Sequence, residues 1–179
     1  HFPGHGTAAA DSHLTVVTDD RSYEDIAAED LIPFERMIHF GLAALMAAHV
    51  VYPRVDDQPA GFSRFWMHEV LRERLGFQGA IFSDDLGMAG AGTAGDIKRR
   101  AEAALEAGCD MLLLCNELAA IPSLLDHLER YRNPASQLRL ARLHGRGKLD
   151  RAHVRLEPSW HEALQVVAEC ERPVTPDLV

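Results

Sequence analysis

The sequence predicts an α/β fold built on a parallel sheet, and three observations carry the prediction. Stretches with helical spacing alternate with short, nearly continuous apolar runs; glycine closes the helical stretches; and polar residues collect where the apolar runs stop. The chain has 179 residues, 47% of them hydrophobic and 25% charged, which is the composition of one globular domain. That domain is expected over residues 1–172, with a tail at 173–179.

Taken in order, HLTVVTDD from His13 reads as a short strand or an extended passage. AAEDLIPFERMIHFG reads as a helix with Asp30 as N-cap, Pro33 in the first turn where its missing N–H costs little, and Gly41 as the stop. LAALMAAHVVYP is an almost continuous apolar run ended by Pro53, as expected of one strand buried on both faces. SRFWMHEVLRERLG gives a second helix, capped by Ser63, with Trp66, Val70 and Leu71 on one face and Gly76 at its end. GAIFSDD is a second buried strand, GDIKRRAEAALEAG a third helix between Asp96 and Gly108, and DMLLLCN a third strand. Helix followed by strand, three times over, is the pattern of parallel strands joined by right-handed crossovers. Beyond Asn116, helices are expected around AAIPSLLDHLERY and ASQLRLARLHG, then a loop RGKLDRAHVRLEPS and a last helix SWHEALQVVAECE.

Charge and composition narrow the partners. The net charge is −9, from 27 acidic and 18 basic residues, and no run of Lys or Arg forms a basic stripe, so nucleic acid is not expected as a partner. No stretch reaches the roughly 18 to 20 apolar residues that span a bilayer, so no membrane partner is expected. Cys109, Cys115 and Cys170 read as reduced core residues, which suits a cytoplasmic protein better than a disulfide-bonded secreted one. A chain beginning His-Phe-Pro is not a translation start, so a preceding segment is expected.

His49, the triplet Ser83-Asp84-Asp85 and Asn116 all fall at the carboxyl ends of the strands, the active-site face of parallel α/β folds. In IFSDDLGM, two carboxylates follow a buried strand, where a lone charge is costly unless it is paired or used. Either aspartate could cap the next turn. Alternatively, Asp84 points into the mouth of the sheet as a nucleophile, able to form a glycosyl ester at a sugar's anomeric carbon. Asp11 and His13 in DSH have the i, i+2 spacing that, in extended backbone, lets a carboxylate orient an imidazole for proton transfer. A solvated loop pair has the same spacing. In HFPGHG, the histidines His1 and His5 could join Asp11 and His13 as nitrogen and oxygen ligands of a metal-dependent hydrolase. The glycines and proline there equally suit a fixed turn passing close to a ligand.

Together, HFPGHG, DSH, DLIPFERMI, AAHVVYP, LRERLGFQGAIFSDDLGM and ALEAGCDMLLLCN resemble the family 3 glycoside hydrolases, and most closely their bacterial β-N-acetylhexosaminidases of peptidoglycan recycling. The resemblance implies a TIM (β/α)₈ barrel of which this chain is the C-terminal portion, incomplete at the N-terminus. The three strands read above stand against the eight, in about 250 residues, that such a barrel requires. It implies Asp84 as the catalytic nucleophile, His13 as the general acid/base and Asp11 as the partner that orients it. His1 would bind sugar hydroxyls beside a lysine expected just before position 1, and Met88 would lie near the sugar pocket. The implied reaction is retaining hydrolysis of terminal β-linked N-acetylglucosamine from a muropeptide, with no metal and no cofactor, in partnership with the missing N-terminal half of the barrel. Three alternatives stay open at this point: the metal-dependent hydrolase, a non-catalytic sugar-binding fragment, and a phosphorylase, because a histidine acid/base spares an anionic phosphate from repulsion.

Overall fold

The computed structural model describes residues 1–6, 10–12, 14–145, 147 and 150–170. They fall into two compact units, His1–His144 and Gly145–Val179. The first contains β1 (Val17–Thr18), α1 (Tyr23–Ala28), α2 (Leu31–His39), β2 (Ala44–Met46), β3 (Val50–Tyr52) and β4 (Asp56–Pro59). It continues with a π-wound helix (Phe65–Arg74), β5 (Ala80–Asp85), α3 (Ile97–Ala107), β6 (Met111–Leu113), α4 (Ile121–Leu128) and α5 (Pro134–Ala141). The second unit contains α6 (Arg151–Val154) and α7 (Pro158–Cys170).

Strand pairing builds an arc of a parallel α/β barrel. Phe2 bridges Ala47, β2 pairs with β5, and β5 pairs with β6, all in parallel. The chain from Ala44 to Ala48 is therefore stitched on both sides: Phe2 N–H donates to Met46 at 2.7 Å, and Ala47 N–H donates to Phe82 at 2.9 Å. Helices between successive strands cover the outer side, where Phe2 packs edge-on against Phe34 of α2 at 5.2 Å and against Trp66 at 6.3 Å. Trp66, Tyr52, Phe2, Phe77 and Ile26 are the largest side chains in this buried layer.

Local sequence explains most element ends. Ser22 and Asp25 form a capping box at the start of α1, Asp96 Oδ1 accepts the Arg99 N–H at 3.0 Å to start α3, and Gly108 ends it at φ 121°. Asn133 caps α5, with Pro134 as its first residue.

Several expectations are corrected. The run LAALMAAHVVYP is two strands in two sheets: β2 belongs with β5 and β6, whereas β3 pairs with β1 in parallel and with β4 in antiparallel. An unbroken apolar run does not mark such a switch, because both halves are buried or half-buried. Nor is the run buried throughout, since Ala44, Leu45 and Met46 are only partly covered. β4 was not expected, because DDQP carries no apolar alternation. Asp30 stands at the N-cap of α2 but makes no capping hydrogen bond; its carboxylate is taken by Arg21. Ser63 does accept the Trp66 N–H, at 3.2 Å, while the helix that follows is wound with the wider π repeat. The three cysteines are free thiols, as expected of reduced residues, but only Cys109 is buried; Cys115 and Cys170 are exposed. The expected loop after Gly145 holds the short helix α6, capped by Asp150. The expected tail lies outside the described residues.

Candidate active site

Strand alternation decides which side chains reach the inside of the arc. Along β5, Ile81, Ser83 and Asp85 are buried toward the helices, whereas Phe82 and Asp84 face the other way and stay partly open. Phe2 goes to the helix side with no exposure, so its neighbour His1 goes to the inner face. There His1 Nε2 meets Asp84 Oδ2 at 3.3 Å. A cavity of about 210 Å³ opens at this place, lined by His1, His5, Asp11, Ser12, Ala48, His49 and Asp84.

The electrostatics favour an ionised Asp84. Burial opposes its charge, yet the hydrogen bond with His1 and the Asp85 N–H at 2.9 Å outweigh it and hold the carboxyl below the usual carboxylate range. The same hydrogen bond to Asp84 raises the His1 imidazole above its ordinary value, against partial desolvation. At neutral pH the site thus presents a carboxylate held by the Asp85 N–H on one oxygen and by a half-exposed imidazole on the other.

Asp85, one residue on, has a different task. Its Oδ1 accepts N–H groups from Gly87 at 2.9 Å and Cys115 at 3.0 Å, and its Oδ2 accepts from Asn116 Nδ2 at 3.1 Å. Ser83 Oγ accepts the Leu113 N–H at 2.9 Å. These side chains strap β5 to the end of β6 and fix the direction of the backbone that carries Asp84.

The loop bearing His1 and His5 is held from below. Tyr52 donates to the Gly4 carbonyl at 2.6 Å, and Arg21 joins Asp19 at 2.7 Å as well as Asp30. Gly6, at φ +30°, passes so close to Arg21 and Asp30 that a Cβ there has no room. Asp30 gives up helix capping to make this clamp.

The structure therefore brings Asp84, Asp11, His1 and His5 to one cavity. His13 lies outside the described residues. Met88 is 4% exposed in the turn after β5 and is not among the residues lining the cavity. Among the described residues no group of three or more His, Cys, Asp or Glu side chains could hold a metal ion, and no helix is long and apolar enough to cross a membrane. Ser12 joins the cavity without having been named, and His49, placed by the sequence at a strand's carboxyl end, joins it without having been given a role. A larger hollow of about 370 Å³ sits at the opposite ends of β2 and β5, but neither a carboxylate nor an imidazole lines it.

The chain is similar to proteins of known family. Residues 1–143 match the description Glycosyl hydrolase family 3 N terminal domain. The chain is 51% identical over 165 residues to a beta-hexosaminidase of Methylococcus capsulatus, covering 92% of this chain and 49% of that protein. It is similar to the crystal structure of native NagZ from Neisseria gonorrhoeae, with TM-score 0.80 and 41% identity over 97% of this chain and 50% of that one. NagZ from the same organism in complex with N-trifluoroacetyl-D-glucosamine gives TM-score 0.77 and 43% identity, again over 97% and 50%. The chain spans about half the length of the relatives it matches.

Proposed function

Because the chain belongs to glycosyl hydrolase family 3, we propose that it supplies the nucleophile-bearing part of a retaining β-N-acetylglucosaminidase. The observation that carries this reading is Asp84: an ionised carboxylate at the carboxyl end of a parallel strand, facing a cavity, touched by His1 and by its own following N–H. A relative seen with a glucosamine derivative supports the choice of sugar.

In the reaction proposed, His13 protonates the leaving oxygen as Asp84 attacks the anomeric carbon. The glycosidic C–O bond breaks, and a glycosyl ester forms on Asp84. His13, now neutral, takes a proton from water as that water attacks the same carbon; the ester bond breaks, and the sugar leaves with its configuration retained. Asp11 orients the His13 ring, and His1 exchanges Asp84 for a sugar hydroxyl when substrate enters. Met88 supports the sugar pocket from the turn behind Asp84. The substrate proposed is a muropeptide, N-acetylglucosaminyl-1,6-anhydro-N-acetylmuramic acid with or without its peptide, in cytoplasmic cell-wall recycling.

A second segment is part of the proposal. The cavity of about 210 Å³ is smaller than the roughly 300 to 1,000 Å³ of ordinary ligand pockets, and an arc of strands leaves backbone edges open. The companion segment closes the barrel and completes the sugar site. In the complete enzyme, Asp84→Ala is expected to abolish release of 4-nitrophenol from its N-acetyl-β-glucosaminide. Turnover near the wild-type rate in that variant would refute the nucleophile assignment.

A further inference from the structure

His49 has a property that the reaction above does not use. Its side chain is buried, at 1% residue exposure, and neither Nδ1 nor Nε2 has a hydrogen-bond partner among the described residues. Buried polar groups in folded proteins are almost always satisfied, so an orphaned imidazole beside a reactive carboxylate calls for a reason. Packing alone is not one: the ring packs against Phe62, tilted by 40° with centroids 4.9 Å apart, a contact that a phenyl ring would make as well.

The surroundings of His49 are close: Gly61 lies beside Nδ1, and a Cβ at Gly90 would come within 3.1 Å of the His49 Cβ and carbonyl. The Gly90 N–H in turn donates to the Ser12 carbonyl at 3.0 Å, which closes the cavity wall over His49. The ring lies between Gly61 and the backbone of Asp85, the residue that follows Asp84. His49 shares the cavity wall with Asp84, whose Oδ2 is held, among the described residues, by the half-exposed His1.

We infer that His49 is a positioning residue for Asp84: its ring N–H donates to the Asp84 carboxylate once a bound sugar draws His1 away, keeping the nucleophile ionised and aimed at the anomeric carbon. The inference rests on the reading of Asp84 as nucleophile. Burial favours the neutral imidazole, reinforced by Arg100 of α3 and opposed by Asp84 and Asp85 of β5. His1, His5 and Asp11 are the other titratable groups that line the same cavity. A neutral ring carries one donor and one acceptor, so it can support a carboxylate without competing with it for a proton from the substrate side.

The test uses the complete enzyme and 4-nitrophenyl N-acetyl-β-glucosaminide. His49→Phe keeps the stacked ring and removes the donor; kcat is expected to fall at least about tenfold, as for loss of one oriented donor, with KM changed less than about twofold. The acid limb of the kcat profile, which reports the substrate complex, shifts to higher pH in the same variant, because Asp84 loses a hydrogen bond to its charged form. His49→Gln, which restores an N–H, recovers part of kcat. If His49→Phe does not fold, as judged by its thermal melt, His49→Met against His49→Gln asks the same question, and Gln is expected to be the faster. A kcat within about twofold of wild type in the donor-less variant, with an unmoved acid limb, overturns the inference. Trapping with a fluorinated N-acetylglucosamine analogue and peptide mass mapping separates the two readings. A label on Asp84 with unaffected His49 variants removes only the role of His49, whereas a label elsewhere removes the nucleophile assignment and this inference with it.

Discussion

Replacing Asp110 by alanine should be among the most destabilising single changes in the first unit. Its carboxylate, with no side-chain exposure, accepts from Arg72 at 2.8 Å, the Ile81 N–H at 2.9 Å, Ser136 Oγ at 2.5 Å and Arg139 at 3.0 Å. Those partners belong to the π-wound helix, β5 and α5, so one side chain ties three elements to the start of β6. Arg72, only 10% exposed, keeps the Phe77 and Gly79 carbonyls at 2.9 and 2.7 Å when Asp110 is removed, but loses its counter-charge. Breaking a buried ion pair from one side costs about 3–5 kcal/mol, and orphaning the Ile81 N–H adds about 1–3. The surviving carbonyl bonds and the partial exposure of Arg139 offset part of this, so a loss of about 3–5 kcal/mol is expected overall. At about 2–4 °C per kcal/mol for a chain of this length, the melting temperature falls by about 6–20 °C. Urea unfolding followed by Trp66, in a Trp160→Phe background, measures the effect on the unit that contains Asp110. Asp110→Asn, which keeps the shape and loses the charge, should cost less than alanine. A loss below about 1 kcal/mol for Asp110→Ala would refute the view that this carboxylate organises the unit.

Two further outcomes follow from the shifts at the site and from exposure. His1 is raised and Asp84 lowered, so the His1 contribution is complete below its ordinary 6.5 and is lost as pH rises through its raised folded value. The Asp84 contribution is present above its ordinary 3.8 and is lost as pH falls through its lowered folded value, so the pair stabilises most between those two values. His1→Asn should therefore destabilise near pH ~5, with an effect that shrinks as pH rises through the raised folded value of His1, by urea unfolding across that range. His49 acts with the opposite sign: below 6.5 the unfolded chain takes up a proton that the buried ring resists, and His49→Gln should remove that acid-side loss. An unchanged pH dependence in both variants would contradict these assignments. In a thiol titration, Cys115 and Cys170 should react in the native protein, whereas Cys109, buried and pushed up to about 12, should react only on unfolding. Three fast thiols would contradict the burial of Cys109.

What the sequence disclosed was governed by how local each signal is. GAIFSDD could be read as a buried strand with its carboxylates at the working end because the apolar run and its polar stop lie within seven residues. The end of α3 at Gly108 was legible for the same reason, as a conformation that glycine adopts readily. The division of 44–52 between two sheets was not legible, since it depends on which distant strands lie alongside, and Ala48 and His49 bear no mark of a crossing point. The use of Asp30 was equally hidden. A helix-start aspartate predicts a cap, and only the folded chain brings Arg21 close enough to draw it away. At the site, Asp84, Asp11 and His1 could be named from pattern and resemblance, but the orphaned ring of His49 could not. Whether a buried histidine is satisfied depends on Gly61, Phe62 and Gly90 at once.

Asp84 and Asp85 are the same letter twice, and the fold asks opposite things of them. Asp85 spends its lone pairs on Gly87, Cys115 and Asn116, so its worth is registered whenever the chain folds. Asp84 keeps an oxygen turned to the cavity, held among the described residues by a half-exposed imidazole, and on the function proposed for it its worth is registered whenever a sugar is turned over. On that proposal, selection on abundance acts on Asp85 and selection on turnover on Asp84, so a lineage could lose catalysis at Asp84 while preserving the architecture through Asp85.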